Sequence, residues 1–361
     1  MPVNFTIPRL YCPWPKPPDH PDLDLLESRG LDWMASRGIT PDPVSRQLAT
    51  DTQSHLLMSL LTPHAPAERV QLIVDWCYLL FSIDDLRTDI GPTSADTALL
   101  MTWLYDLRYA QTIPDGPPQS TDPMHLAMAN VSERIRTATS PALWRRWVES
   151  HHPTYWGALW ESALRARSLA PSFNSYLPVR AGRGAAVAAL ATAELVNELR
   201  VPEHEREHPL VKTVVDAAFL VMCLHDDLYS HPKEAWKTER SGRDPALGPR
   251  GIPILMREHH IDEAEAATLL AGICDRLVLL LTRLLPPIKT GPFSPDTIAL
   301  VDLAVSMLPT GLAWGPDCPR YTNPDGRSPG AIEMRWQGIH NTPPTHHGPL
   351  PYPSIASWWK A

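Results

Sequence analysis

The chain has 361 residues, of which 43% are hydrophobic, so it is long enough to bury a large core. Its formal net charge is -8, with 40 acidic and 32 basic residues, which argues against a general binder of nucleic acid or anionic membranes. The five cysteines are scattered and form no CxxC pair or Cys/His cluster, which disfavours a zinc site or disulfide framework and favours a reducing, cytoplasmic compartment. The N-terminus lacks the pattern of a signal peptide, and no uncharged apolar run approaches the roughly 20 residues that a membrane span needs.

Residues 1–22 are dense in proline and predict an extended N-terminal strap laid over the body of the protein, because proline interrupts helices. From residue 23 onward apolar residues recur at helical spacing without a composition shift, which predicts one all-α domain over 23–322. Predicted helices cover about 25–34, 41–61, 67–83, 95–109, 122–137, 141–170, 185–199, 214–234, 262–285 and 295–314. The C-terminal tail, 323–361, is rich in Pro, Gly and His and is predicted to be partly disordered.

A stretch of oxygen-bearing side chains follows the apolar run 214–224. Asp226, Ser230 and Glu234 are spaced i, i+4, i+8, and each step turns only about 40° around an α-helix, so the three side chains share a face. One hydroxyl between two carboxylates suits a hard divalent cation such as Mg²⁺. Pro232 would kink a regular helix here and re-aim Glu234. From these residues alone, a polar helix end that binds no metal is the alternative.

A second acidic cluster, Asp84, Asp85 and Asp89, ends the periodic helix over 67–83. Crowded carboxylates repel one another unless a cation lies among them, although a solvated helix end is the simpler interpretation of this cluster alone. On a regular helix Asp89 would lie about 140° from Asp84, which would separate the two side chains. The sequence therefore predicts Asp84 and Asp85 as metal ligands more directly than Asp89.

Two basic sites accompany the acidic clusters: Arg180 and Arg183 precede the alanine-rich helix, and Arg320 with Tyr321 follows the last predicted helix. Each site alone is consistent with ordinary surface residues. Taken together, two acidic helix ends and two arginine sites predict a pocket for a metal-bound polyanion, since arginine donates bidentate hydrogen bonds to phosphate. The 13 Trp and 9 Tyr side chains include candidates for a cation-stabilising wall in that pocket, although most rings in any protein are core.

These motifs resemble those of bacterial class I terpene synthases. The stretch 226–234, DDLYSHPKE, resembles the second metal-binding motif of that family, and Asp84-Asp85 resembles the start of its aspartate-rich motif. Arg180 stands where the family places its diphosphate-sensing arginine, with Arg183 and Gly184 in the linker and effector positions. Arg320-Tyr321 resembles the family's C-terminal Arg-Tyr pair. The resemblance covers about residues 3–322.

The resemblance implies an all-α class I terpenoid synthase bundle around a central apolar cavity. It implies an enzyme that uses three Mg²⁺ ions to ionise an isoprenyl diphosphate and cyclise the carbocation, with release of diphosphate. The implied metal ligands are Asp84, Asp85, Asp89, Asp226, Ser230 and Glu234. The implied diphosphate ligands are Arg180, Lys233, Arg320 and Tyr321. Arg180 would also sense the diphosphate, and Gly184 would present a backbone carbonyl to the cation.

Farnesyl diphosphate, with 15 carbons, is the default substrate for bacterial members, and C10, methylated C11 or C20 diphosphates remain alternatives. A homodimer is the oligomer that the family suggests, and neither nucleic acid nor membrane is an expected partner. Two other functions are weighed: a helical metal phosphohydrolase that uses the pair His225-Asp226, and an inactive helical binding protein. A trans-prenyltransferase is disfavoured because the chain has no second aspartate-rich motif.

Overall fold

The computed structural model describes residues 3–89, 91–242 and 248–361, most of which are helical. The helices are α1 (Leu23–Ser36), α2 (Pro43–Asp51), α3 (Ser54–Leu61), α4 (Ala67–Ile83), α5 (Pro92–Ala95), α6 (Thr97–Thr112), α7 (Pro123–Ala138), α8 (Pro141–Glu149), α9 (His152–Ala166), α10 (Phe173–Arg183), α11 (Ala186–Asn197), α12 (Glu203–Arg206), α13 (Pro209–Arg240), α14 (Gly251–His259), α15 (Glu263–Thr290) and α16 (Pro295–Trp314). The strands are β1 (Val3–Ile7), β2 (Leu10–Tyr11), β3 (Ile332–Trp336) and β4 (Ile339–His340).

Helix α13 is the element around which much of the bundle packs. It contacts α10, α11, α14, α15 and α16. Its middle turns are buried on more than one side, because Phe219, Leu220, Val221, Cys223 and Leu224 lie in the core. A helix that is apolar around most of its circumference can only lie inside the protein. The polar stretch that follows Leu224 is therefore carried into the interior as well.

Several helix boundaries differ from the predicted ones. The predicted helix over 41–61 is divided into α2 and α3, because Gln53 adopts the left-handed conformation with φ of 47°. The predicted helix over 141–170 is divided into α8 and α9 near His151. The predicted end of the helix over 262–285 is wrong, since α15 continues through Pro286 and Pro287 to Thr290. Burial of Leu284, Leu285 and Ile288 around the prolines offsets the cost of the missing hydrogen bonds.

Two helices that pack against α13, namely α10 and α14, were not predicted from the sequence. Helix α10 contains Pro178, and its last residues, Arg180 and Arg183, were expected only to precede the alanine-rich helix. Helix α14 lies between the predicted helices over 214–234 and 262–285, where no helix was predicted. Both contact α13 and each other, so tertiary packing stabilises segments whose local pattern is weak.

The two ends of the chain pair with each other, which differs from the expected disordered tail. Strand β1 is parallel to β3, with Val3 opposite Ile332 and Ile7 opposite Trp336, and β2 is parallel to β4. Beyond the strands, Leu350, Tyr352 and Ile355 of the C-terminal tail are buried. Composition did not reveal these strands because each obtains its hydrogen-bond partner from the opposite end of the chain. The N-terminal strap is extended, and the tail holds it in place.

In the part of the chain that the structure describes, one helix has the length and apolar composition of a membrane span. This helix is α16, and 67% of its most apolar window is buried inside the protein. Such burial is also typical of a core helix in a folded domain, so the composition of α16 is weak support for a membrane segment.

Candidate active site

A deep cavity lies among α3, α4, α9, α10, α11, α13 and α16. The cavity and its open mouth together comprise about 1340 Å³. Side chains from two clusters of buried hydrophobic residues line it, one built around α13 and one around α4. Charged residues from α10, α13 and the turn directly after α4 occupy one end, where the side chains of Asp84 and Asp226 remain 27% and 31% exposed. The other walls are largely apolar. The cavity therefore combines a charged rim that solvent can reach with a hydrophobic interior.

The first acidic cluster is gathered by a π-helical turn. Residues Asp84–Thr88 form this turn directly after α4, and the backbone N–H of Asp89 donates to the carbonyl of Asp84 at 3.0 Å. One ligand atom from each of Asp84, Asp85 and Asp89 lies within 4.8 Å of the others. The expected 140° separation of Asp89 from Asp84 is therefore wrong, because it assumed a regular α-helix. The wider turn brings the third carboxylate back to the face of the first.

The second acidic cluster lies on α13 across the cavity. Asp226, Ser230 and Glu234 all line the cavity, as their spacing predicted. Pro232 does not end the helix, which continues to Arg240, and Glu234 stays on the same side as Asp226 and Ser230. The expected re-aiming of Glu234 away from the cavity does not occur. Burial on several sides holds the helix straight enough for all three side chains to share one space.

The carboxylate next to this set has a different environment. Asp227 is buried on the side of α13 that faces α10 and α14. It accepts hydrogen bonds there from Tyr176 Oη at 2.6 Å, Arg180 Nε at 2.8 Å and the Gly251 backbone N–H at 3.3 Å. Burial raises the pKa of Asp227, although Arg180 opposes that shift. Adjacent aspartates thus have separate positions, with Asp226 in the cavity and Asp227 anchoring α10 and α14 to α13.

The last turn of α10 connects the two acidic clusters. Arg180 Nη2 lies 2.5 Å from Asp226 Oδ2, while Arg183 Nη2 lies 2.7 Å from Asp84 Oδ1. Gly184 follows at the helix end and lines the cavity. A Cβ atom at position 184 would overlap the sulfur of Cys223 on α13, so only glycine permits this close approach. One short segment therefore spans the rim from one carboxylate set to the other.

The remaining predicted residues also lie at the rim. Arg320 pairs with Asp84 at 3.0 Å and with Asp85, and Tyr321 Oη donates to Asp226 Oδ1 at 2.8 Å. Lys233 Nζ lies 2.9 Å from Asp85 Oδ1, although its neighbours Ser230 and Glu234 belong to the opposite cluster. The short 3-10 turn Pro319–Tyr321 thus contacts both acidic clusters. Three of the predicted residues, Asp85, Asp89 and Lys233, are buried beside the rim and do not line the cavity. The predicted residues that line it are Asp84, Arg180, Gly184, Asp226, Ser230, Glu234, Arg320 and Tyr321.

Several charged rim residues were missed by the sequence analysis. Lys237 Nζ lies 2.8 Å from Asp85 Oδ1, and Arg250 pairs with Glu161 and lies 4.0 Å from Glu234 Oε2. Glu161 is buried on α9 and also accepts from Arg183 Nε at 3.1 Å. The position of Lys237, one helical turn after Lys233, was a usable signal. Arg250 and Glu161 gave none, because only the tertiary fold brings them to the rim.

The electrostatics of the first cluster differ sharply between neighbours. Burial raises the pKa of Asp84, but Arg183 and Arg320 outweigh it and hold the pKa below its usual range. Burial opposes ionisation of Asp85 too, and Arg320 with two lysines lowers its pKa well below the usual value. By contrast, the pKa of Asp89 is raised to about 6, mainly by burial and also by the negative charges of Asp84 and Glu234. The basic neighbours therefore outweigh the effect of burial at Asp84 and Asp85 but not at Asp89.

Aromatic rings form much of the cavity wall. The rings that line it are Trp76, Phe81, Tyr155, Tyr229, Trp314 and Tyr321. Phe81 stacks on Trp314 with ring centres 5.6 Å apart, and the Trp314 indole N–H donates to the Thr52 carbonyl at 2.9 Å. By contrast, His225 is buried, and its ring nitrogens have no hydrogen-bond partner among the described residues. His225 does not line the cavity as Asp226 does, which disfavours the phosphohydrolase alternative that uses the two residues together.

Comparisons with known proteins agree with this geometry. Residues 75–278 match the family described as terpene synthase family 2, C-terminal metal binding. The chain is 33% identical over 343 residues to phomopsene synthase from Allokutzneria albata, covering 94% of this chain and 93% of the relative. It is 27% identical to the diterpene cyclase DtcycA of a Streptomyces species, with 99% and 97% coverage. It is 25% identical to the (+)-T-muurolol synthase, (2E,6E)-farnesyl diphosphate cyclizing, of Streptomyces clavuligerus, with 99% and 83% coverage.

The fold agrees as well. The crystal structure of the SVS_A2 protein from ancestral sequence reconstruction superposes with a TM-score of 0.80 at 22% identity, covering 98% of both chains. The structure of hedycaryol synthase in complex with nerolidol also superposes, with a TM-score of 0.69 at 17% identity over 86% of this chain and 100% of that one. The helical bundle predicted from the resemblance is thus confirmed as the class I terpenoid synthase fold. Together with the family match and the identity to bacterial relatives, this means that the chain belongs to the bacterial class I terpene synthases and is a terpene cyclase.

Proposed function

We propose that this enzyme uses Mg²⁺ to ionise an isoprenyl diphosphate at the charged rim and cyclises the resulting carbocation in the aromatic cavity. The observation that carries the proposal is the meeting of two distant acidic clusters across one cavity. The Arg180–Arg183 segment and the Arg320-Tyr321 pair each contact both clusters. A polyanion bridged by metal to both clusters fits this arrangement.

The residues present fit the implied metal. Every candidate ligand is an oxygen, as hard divalent cations require. Asp89 Oδ2 is buried and has no hydrogen-bond partner among the described residues, the nearest cation being Lys237 Nζ at 3.8 Å. The raised pKa of Asp89 also indicates a place where an added cation would be stabilising. We propose three ions, with Asp84, Asp85 and Asp89 as ligands on one wall and Asp226, Ser230 and Glu234 on the other. Bound Mg²⁺ would supply Lewis-acid stabilisation of the departing diphosphate.

The basic rim residues would exchange partners when substrate binds. Arg180, Lys233 and Arg320 now pair with carboxylates, and each has hydrogen-bond donors that suit phosphate oxygens. Tyr321 would move its hydroxyl donor from Asp226 to the diphosphate in the same way. Arg180 senses the bound group in this proposal, because it links Asp226 to the helix end at Gly184. The backbone carbonyl of Gly184 would then face the new cation.

The cavity wall would guide the carbocation after ionisation. Indole and phenol rings stabilise a cation over their faces by roughly 0.5–2 kcal/mol each, and an apolar enclosure keeps water from quenching it early. Trp76, Phe81 and Trp314 lie on walls that the hydrocarbon chain would contact. Their shape selects which carbons meet. Deprotonation or water capture would end the sequence.

Two chain lengths compete as substrate. Farnesyl diphosphate is the expected C15 substrate, supported by the farnesyl-cyclizing relative from Streptomyces clavuligerus. A C20 diphosphate is the second candidate, supported by the diterpene cyclase that matches nearly the whole chain at 27% identity. We also propose one catalytic α domain over 23–322, a homodimer and a cytoplasmic location, as the sequence predicts. The five free, buried cysteines support the reducing compartment.

The test is to incubate the purified enzyme with geranyl, farnesyl and geranylgeranyl diphosphates, with Mg²⁺ or with a chelator. Diphosphate release and terpene products are measured together. We expect cyclic product from one of the longer substrates, only with metal present. Asp84→Ala and Asp226→Ala should lower diphosphate release by about 100-fold or more, the loss typical of removing transition-state charge stabilisation.

Asp216→Ala is the matched control, because Asp216 lies on the same helix α13 but forms only an exposed pair with Lys212. It should retain the wild-type rate. Normal diphosphate release by both Asp84→Ala and Asp226→Ala would refute the metal assignments. Release without metal would refute the proposed ionisation.

A further inference from the structure

A buried histidine lies behind the aromatic wall, away from the charged rim. His151, between α8 and α9, is fully buried. Its Nε2 lies 2.8 Å from the indole nitrogen of Trp76, and its Nδ1 lies 2.7 Å from the Trp147 carbonyl. An indole nitrogen can only donate, so Nε2 must accept. The proton is therefore assigned to Nδ1, which donates to the Trp147 carbonyl, and both ring nitrogens have defined partners.

The partner of His151 belongs to the cavity. Trp76 lines the cavity on α4, eight residues before Asp84, which places it about 12 Å along the helix axis from the metal motif. Tyr155 also lines the cavity and lies 6.0 Å from the His151 ring, with its hydroxyl donating to Gln111 at 3.2 Å. Burial lowers the pKa of His151 to about 4, so the ring is neutral at physiological pH. A neutral acceptor adds no charge that would compete with a carbocation.

We propose that His151 is a positioning residue for cyclisation, which fixes the indole of Trp76 in one orientation through the hydrogen bond to its N–H and so sets the ratio of products. This proposal rests on the proposed carbocation chemistry. A tryptophan without this acceptor could rotate about its side-chain torsions, and the face it presents to the cavity would change. Ring orientation affects the steps after ionisation, whereas diphosphate release depends on the distant rim. A change in product ratio without an equal change in diphosphate release would therefore indicate an effect on cyclisation.

The experiment compares His151→Phe, which removes the acceptor but keeps a ring, with His151→Gln, which retains a side-chain acceptor. Product ratio is measured by gas chromatography with mass spectrometry, and diphosphate release is measured in the same reactions. We expect His151→Phe to change the ratio of major to minor products by about two- to fivefold, which corresponds to cation–π energies of about 0.5–1 kcal/mol. Diphosphate release should change less than the product ratio does. His151→Gln should restore the wild-type ratio.

The matched control is His125→Phe. His125 is also buried against a tryptophan, with its ring 4.6 Å from that of Trp103 and its Nε2 3.0 Å from the Trp103 carbonyl, but neither residue lines the cavity. It should leave the product ratio unchanged. Trp76→Phe removes the donor instead of the acceptor. It should shift the ratio itself and make a further His151→Phe change ineffective, because both variants remove one interaction.

Each outcome decides the proposal. A wild-type ratio in folded His151→Phe, or an equal shift in His125→Phe, would overturn it. If His151→Phe does not fold, the decision passes to His151→Gln and Trp76→Phe, and the proposal fails unless the first keeps the ratio and the second shifts it. Absence of product from the wild-type enzyme with all three diphosphates would instead refute the proposed function, so the two failures remain distinguishable.

Discussion

Asp89 shows how a single side chain can be assigned differently by sequence and by structure. Sequence spacing placed it away from Asp84, because an α-helix was the only available assumption. The structure brings the two together, and it leaves Asp89 with a raised pKa because burial and two nearby carboxylates oppose its charge. The identity of the metal-site candidates was predictable from residue types. Their electrostatic inequality was not, since it depends on Arg183 and Arg320 reaching Asp84 from distant parts of the chain.

A pH-dependent stability follows at Asp89. Its pKa is about 6 in the folded protein and near 3.8 when unfolded, so without metal its ionisation costs stability as pH rises from about 4 to about 6. The cost is on the order of 3 kcal/mol at most. Asp89→Asn should therefore raise the thermal midpoint of metal-free enzyme at pH 7.5, with the difference shrinking below about pH 4.

The measurement is thermal unfolding in chelator across this pH range, with Asp216→Asn as the exposed control on α13. Asp84 and Asp85 have the opposite effect, because their lowered pKa values mean that the ionised carboxylates stabilise the folded protein. That stabilisation is lost only as pH falls below the pKa values of these groups in the unfolded chain. Their effect therefore lies outside the window of Asp89. A lower midpoint for Asp89→Asn at pH 7.5 would contradict the argument.

At the scale of elements, the apolar periodicity predicted the helices that bury one clear face. It failed for segments whose helical structure depends on packing against other parts of the chain. Helices α4, α6, α7 and α16 lie close to their predicted positions. The π turn after α4 was beyond any periodic pattern, because a single widened turn changes no residue type. Thr88 helps to hold it: its Oγ1 lies 3.0 Å from the Asp84 carbonyl and 2.9 Å from Asp84 Oδ1, and it also accepts from Arg183 at 3.2 Å.

The hydroxyl of Thr88 should therefore matter more than its size. Thr88→Val is nearly isosteric but removes the donor to Asp84, so Asp84 should lose its fixed orientation. We expect diphosphate release to fall about tenfold, in line with the effect of removing an outer-shell partner of a metal ligand. Thr88→Ser keeps the hydroxyl and should stay close to wild type. Steady-state assays at saturating Mg²⁺ compare the three enzymes, and equal rates for Val and Ser would contradict this role.

At the scale of the whole molecule, the resemblance predicted the bundle, the cavity and the gathering of the motifs, because those features follow from the motif order. It did not predict how the chain ends are used. Strand β1 lies on α13, and Phe5 packs its ring 5.4 Å from that of His231, within the second metal motif. The strap therefore supports the rear of the site, and composition alone could not indicate that role.

Ile7 tests whether the strap is part of the domain core. Its side chain is fully buried, while the adjacent Thr6 is exposed on the same strand. Ile7→Ala should lower the free energy of unfolding by about 2–5 kcal/mol, the usual cost of such a cavity. Thr6→Ala should cost far less. Urea unfolding followed by circular dichroism compares the two, and similar midpoints would mean that the strap is only loosely attached.

The pairing of β1 with β3 has a consequence for biosynthesis. During synthesis, strand β1 finds its partner only after some 330 further residues have been made. Until then β1 exposes unpaired backbone and the apolar side chains of Phe5 and Ile7, which are the features that promote misassembly. Synthesis must therefore pass β3 before β1 can pair, and a chain cut short before residue 332 would leave β1 without its partner strand.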